Sequence, residues 1–144
     1  TLDNKNIFLH IIGDGSIINK ARQLADNNSH IVFYGKLPHS EVIEQICKTD
    51  FVVVPSLCYE NSPNIIVESL SAGKFVVVAD IGGTAELVNN DNGLKFEAGN
   101  KDDLINKINL AVELKSNFNT DNIKKSFKSL SIGDYVDNVL QDIT

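Results

Sequence analysis

The sequence predicts an α/β fold: a doubly wound, Rossmann-like parallel sheet of about five strands, helices on both faces, and a helical C-terminal tail. Three observations carry that expectation. Short apolar runs recur along the chain, segments with helical spacing follow them, and Gly or Pro marks nearly every strand end. Strands with no polar alternation are buried on both faces, which is the signature of a parallel sheet covered by helices. Right-handed crossovers then wind the layers, and ligands gather at the carboxyl ends of the strands.

The elements follow in order. Ile7 to Ile12 is an apolar run closed by Gly13 and reads as a buried strand. Ser16 to Asn27 is polar with Ile17, Ala21 and Leu24 at helical spacing. Ile31 to Tyr34 is the second strand, closed by Gly35, and Ser40 to Cys47 the next helix with Ser40 as N-cap. Phe51 to Val54 is a strand stopped by Pro55. Pro63 to Ala72 is a helix with Ser62 as N-cap, Pro63 in its first position and Gly73 as its C-terminal signal. Phe75 to Ala79 is the fourth strand, Thr84 to Val88 a short helix and Gly93 to Phe96 a weak fifth strand. Asp102 to Leu114, Asp121 to Leu130 and Gly133 to Ile143 are helical in composition and form a tail over about 102–144.

Composition bounds the function. At 144 residues with 42% apolar content the chain is one domain with a proper core. No apolar run approaches the roughly 20 residues of a spanning helix, so direct membrane insertion is not expected. A formal charge of −6 argues against nucleic acid, whose binding rests on clustered Lys and Arg. Any anionic ligand must be held by local dipoles. Cys47 and Cys58 have no metal-ligand spacing, and His10, His30 and His39 are scattered, so no metal is expected. With Thr1 first and no Met, the chain reads as a piece excised from a longer protein.

The segment Glu60-Asn61-Ser62-Pro63-Asn64-Ile65-Ile66-Val67-Glu68 carries the chemistry. Free N–H groups at a helix start, with the helix dipole behind them, make an anion site suited to a diphosphate. Glu68 falls one turn after Asn64 on the same face. A carboxylate only accepts hydrogen bonds, so it can take two ribose hydroxyls at once. Glu60, in the preceding loop, can do the same for a second sugar. Gly13-Asp14-Gly15, Gly35-Lys36-Leu37 and Ile81-Gly82-Gly83-Thr84 are the other strand ends, expected on one rim. Gly82-Gly83 could equally be a tight turn without ligand contact, and Asp14 a turn-forming residue.

Phe33-Tyr34-Gly35-Lys36-Leu37, Asp50 through Ser56, Glu60 through Gly73, Val76 through Val88 and Asn92-Gly93-Leu94 together resemble the C-terminal nucleotide-sugar-binding domain of family 4 (group 1) retaining glycosyltransferases of GT-B fold. Order, spacing and residue types agree from about Ile7 to Leu114, and the two glutamates match the family's E-x7-E motif. The resemblance implies one donor-binding domain over 1–144, truncated at its N-terminus, from an enzyme of polysaccharide biosynthesis. It implies that Glu60 contacts the donor sugar as the catalytic glutamate and that Glu68 binds the nucleotide ribose. Backbone N–H groups around Pro63, Asn64, Ile65 and Ile66 would hold the distal phosphate and sugar. Gly35, Lys36 and Leu37 would line the base position, and the Gly13–Gly15 turn would pass close to the nucleotide.

It implies no cofactor beyond a nucleoside diphosphate sugar as donor substrate. The implied partner is an N-terminal acceptor-binding domain of the same protein, in the cytoplasm or at the inner face of a membrane through that half. Where the family has a Gly-Phe-Gly-like run, this chain has Asn61-Ser62-Pro63. The family's phosphate-binding Arg and Lys precede the point where this chain begins. Ser131-Ile132-Gly133-Asp134-Tyr135 resembles the start of the family's last helix. A nucleotide-sugar epimerase of the same architecture and a flavodoxin-like or receiver binding module are the alternatives. The glutamate spacing speaks for the transferase.

Overall fold

The computed structural model describes residues 7–59 and 63–127. The chain packs as two compact units, 1–49 and 50–144.

The first unit holds β1 (Leu9–Ile12), α1 (Ile18–Ala25), β2 (Ile31–Gly35) and α2 (His39–Lys48). β1 and β2 pair in parallel from Leu9↔Ile31 to Ile12↔Gly35, with the register shifting between Ile11 and Ile12. α1 is the crossover. It ends at Asp26 and Asn27, both with positive φ, a conformation that short polar side chains tolerate better than others. Arg22 of α1 places its guanidinium 4.6 Å from the centre of the Phe33 ring on β2, which fastens helix to strand. Ser40 is not the N-cap of α2. That position belongs to Pro38, whose extended backbone presents its carbonyl to the N–H groups of Glu41 and Val42 at 3.0 and 3.1 Å. The ladder therefore opens before Ser40.

The second unit holds β3 (Phe51–Val54), α3 (Asn64–Ser71), β4 (Phe75–Ala79), α4 (Gly82–Leu87), β5 (Gly93–Phe96), α5 (Lys101–Leu114), a 3-10 turn (Lys115–Asn117) and α6 (Thr120–Ser126). Its sheet runs β3-β4-β5, all parallel. The central strand β4 is buried along its whole length, as its uninterrupted Phe-Val-Val-Val-Ala run requires. Phe75, Val76 and Val78 pack with Ile66 and Leu70 of α3, Val88, and Ile123 of α6. Val77 and Ala79 pack with Phe96 and with Ala111 of α5. β4 thus contributes to cores on both faces, the doubly wound arrangement expected. The five expected strands are present as a parallel pair and a parallel triple.

Two helix ends have well-defined caps. Asn100 accepts from the N–H groups of Asp102 and Asp103, so α5 begins at Lys101, one residue ahead of expectation. α3 closes in a Schellman motif, Lys74 N–H to Ser69 carbonyl and Gly73 N–H to Leu70 carbonyl, both 2.9 Å. Gly73 has φ +73°, which a side chain would resist. α6 covers Thr120–Ser126 of the helix expected over 121–130. The rest of the expected tail, including Ser131–Tyr135 and Gly133–Ile143, lies outside the described residues.

Candidate functional site

The strand ends of the first unit converge. Parallel pairing sets Ile12 opposite Gly35, and the Gly13 N–H donates to the Gly35 carbonyl at 2.8 Å. Both glycines have positive φ, +127° and +68°, and a Cβ on either would meet nothing within 4 Å. Conformation, not crowding, calls for glycine at these two turns. Asp14 accepts the Gly15 N–H at 2.8 Å, the turn-forming role. Lys36 is exposed and Leu37 half-buried. The Gly13–Gly15 and Gly35–Leu37 segments therefore stand side by side.

In the second unit the expected anion site falls at the start of α3. The helix departs from expectation by one position. Pro63 is the N-cap with extended backbone (φ −69°, ψ 117°), and Asn64 is the first helical residue. The Pro63 carbonyl accepts from the N–H groups of Ile66 and Val67 at 3.0 and 3.4 Å. This narrows the helix-start N–H groups around Pro63, Asn64, Ile65 and Ile66 to those of Asn64 and Ile65. Proline has no N–H to offer, and the Ile66 N–H is spent inside the helix while its side chain is wholly buried. Asn64 and Ile65 carry helix-start N–H groups that have no partner within the helix. Asn64 is exposed and Ile65 half-buried. Glu68 is half-buried, one turn on from Asn64. Glu60, Asn61 and Ser62 lie outside the described residues.

Asp80–Thr84 also lies at this end of the sheet, beside the end of β5, where the Asp80 N–H donates to the Phe96 carbonyl at 2.8 Å. Val54 pairs with Val78, so the β3–α3 loop and the β4–α4 turn leave the same edge. Gly82 and Gly83 open α4, which starts two residues ahead of the expected Thr84, and Gly82 does so with φ +55°. Thr84 is 1% exposed, and its hydroxyl has no hydrogen-bond partner among the described residues. Two polar anchors had escaped sequence reasoning. Asn92 is fully buried, with Oδ1 accepting from Asn89 N–H at 2.9 Å and Nδ2 donating to the Leu87 carbonyl at 3.3 Å. Lys95 Nζ donates to the Ala85 carbonyl at 2.6 Å. The hint for Asn92 was the Asn89-Asn90-Asp91-Asn92-Gly93 turn itself.

Cys47 and Cys58 are exposed free thiols. His30 stacks on Phe8 at 4.6 Å and its Nδ1 lies 3.2 Å from the Ile7 carbonyl. His10 lies 5.4 Å from the Tyr34 ring. Among the described residues no group of three or more His, Cys, Asp or Glu side chains could hold a metal ion, and no helix is long and apolar enough to cross a membrane.

The glycosyl transferases group 1 family matches residues 1–113. An uncharacterised glycosyltransferase of Methanocaldococcus jannaschii is 36% identical over 101 residues, covering 68% of this chain and 28% of that protein. Among solved structures, the lipopolysaccharide outer core galactosyltransferase WaaB superposes with a TM-score of 0.78 at 23% identity, over 94% of this chain and 40% of that one. The Anabaena protein HepE in complex with UDP superposes with a TM-score of 0.77 at 23% identity, over 96% of this chain and 42% of that one. The chain thus spans well under half the length of these relatives. From the family match, with the parallel strands and covering helices it shares with those structures, the chain belongs to the group 1 glycosyl transferases and has the Rossmann-like fold of one half of a GT-B enzyme.

Proposed function

We propose that residues 1–144 are the donor-binding domain of a retaining glycosyltransferase that moves a hexose-type sugar from a nucleoside diphosphate to a glycan or lipid-linked acceptor. The observation that carries the reading is the start of α3: the N–H groups of Asn64 and Ile65 aligned with the helix dipole, and Glu68 one turn further on. In this reading the two N–H groups receive the distal phosphate and Glu68 takes the ribose hydroxyls. Gly35, Lys36 and Leu37 meet the base, Gly13 and Gly15 let the loop approach the nucleotide, and Glu60 contacts the transferred sugar. Complexes of the Anabaena neighbour with UDP and with UDP-glucose support a nucleotide-sugar ligand.

The rate enhancement comes from positioning the donor and stabilising charge on the departing diphosphate. Glu60 is not a covalent nucleophile here; the leaving group assists attack from the same face. The acceptor is held by an N-terminal domain of the same protein, in the cytoplasm or at the inner membrane face, in polysaccharide biosynthesis. No cofactor is needed beyond the donor.

Calorimetric titration of UDP and UDP-glucose into the chain and its Glu68→Ala variant tests the reading. Weak binding is expected, reduced at least about tenfold by the loss of two hydrogen bonds to a charged acceptor. No binding, or binding indifferent to Glu68→Ala, refutes the site. Sugar transfer by the 144 residues alone refutes the assignment to half an enzyme.

A further inference from the structure

The second unit has a groove of about 450 Å³ at the end of its sheet opposite the start of α3. Phe75 opens β4 and Leu94 lies near the start of β5, so the groove sits where these strands begin. Its apolar lining includes Phe75 and Phe118, stacked at 4.2 Å and 11°. Its polar lining is Asn90, Asp91, Asn117, Asn119 and Asn122. Asn119 is committed, since its Oδ1 caps α6 through the Asn122 N–H. The side chains of Asn90, Asn117 and Asn122 make no hydrogen bond to other described residues.

We infer that this groove is a second binding site, for a neutral carbohydrate. The size is that of a small-molecule site. A carboxamide donates and accepts, which matches hydroxyl groups that do the same. The apolar part of the lining, in which Phe118 is half-buried, suits the C–H face of a pyranose. No Lys, Arg or His lines the groove and Asp91 adds a carboxylate, so phosphates and other anions are disfavoured. On the proposed function, such a site would hold a distant part of a glycan while its end reacts elsewhere. The binding itself does not depend on that function.

The test is chemical-shift mapping on the labelled chain with maltotriose, cellotriose and chitotriose in EDTA, each with and without UDP. At least one trisaccharide should shift Asn90, Asn117 and Asn122 at millimolar concentration, and saturating UDP should leave that affinity unchanged. Asn117→Ala with Asn122→Ala should weaken binding about tenfold, while the unperturbed remainder of the spectrum reports an intact fold. The Asn119 cap stays in place because it binds a backbone N–H. The inference fails if none of the three sugars binds, if shifts map away from the groove, or if the double variant binds as well as the parent. UDP binding is read in the same samples, so failure of the donor site is seen separately.

Discussion

Gly73→Ala tests how the site-bearing helix is anchored. Gly73 ends α3 with φ +73°. An alanine in that left-handed conformation costs about 1–2 kcal/mol, offset by roughly 0.4–1 kcal/mol through the stiffer unfolded chain. The new Cβ also meets α6. It would overlap the Thr120 methyl, sit 3.0 Å from the Thr120 carbonyl oxygen and 3.1 Å from Lys124 Cε. The end of a lysine moves aside readily, but a helix backbone does not, and overpacking of this kind costs about 1–3 kcal/mol. The net loss expected in urea unfolding is therefore about 1–4.6 kcal/mol. Thr120→Ala removes the overlapping methyl and nothing of the φ penalty, so in that background the loss should shrink to at most about 1.6 kcal/mol. UDP affinity per folded molecule should not change, because the start of α3 lies about 12 Å away along the helix. A loss below about 0.5 kcal/mol, or one unchanged by Thr120→Ala, would show that neither the conformation nor the contact limits this position.

Two further outcomes follow from local bonds. Asn100→Ala removes acceptors for two N–H groups at the start of α5, at 3.1 and 3.0 Å, and should cost about 0.5–2 kcal/mol in denaturant titration; an unchanged midpoint would mean that water replaces the cap at no cost. Glu44 pairs with Lys48 on α2; the hydrogen bond, then the charge, of Lys48 lowers the carboxyl below its ordinary value of 4.5. The stabilising contribution of Glu44 is thus full above 4.5 and is lost as pH falls through the lowered folded value. That of Lys48, raised by the same hydrogen bond, is full below 10.5 and lost above its raised value. Carbon-detected titration should find the Glu44 midpoint below 4.5 and return it there in Lys48→Ala; an unmoved midpoint would dismiss the pair.

Strand identity was legible because burial on two faces leaves an unmistakable pattern. Phe75–Ala79 and Gly93–Phe96 fall where the apolar runs place them. Strand extent was less so. Ile7 and Phe8 are as apolar as their neighbours, yet β1 begins at Leu9 because Ile31 of β2 begins there too. Pairing, not hydrophobicity, sets that limit. Helix starts were misread at Ser40 and Pro63 for one reason. A hydroxyl is the expected cap, but a proline with extended backbone can open the ladder with its carbonyl alone. Close backbone approaches leave no trace in a single sequence either. Gly93 reads as the opening residue of a weak strand with no hint of crowding, whereas a Cβ there would lie 2.6 Å from the Val76 carbonyl oxygen.

The charge carried by α3 limits what its start can hold. The helix has no acidic residue in its first turn and no basic residue in its last, so its dipole presents roughly half a unit of positive charge at the N-terminus. A diphosphate ester brings at least two negative charges into a chain whose formal charge is already −6. Two N–H groups and half a charge offset only part of that, and salt screens what attraction remains at an open helix end. On the proposed reading, affinity of the isolated chain for UDP is therefore weak and falls as ionic strength rises, while the ribose contribution of Glu68 persists. On the same reading, tight donor binding needs cations that α3 does not possess. On the proposed reading, selectivity for a sugar nucleotide over a bare phosphate rests on Glu68, whose carboxylate repels phosphate and accepts hydroxyls.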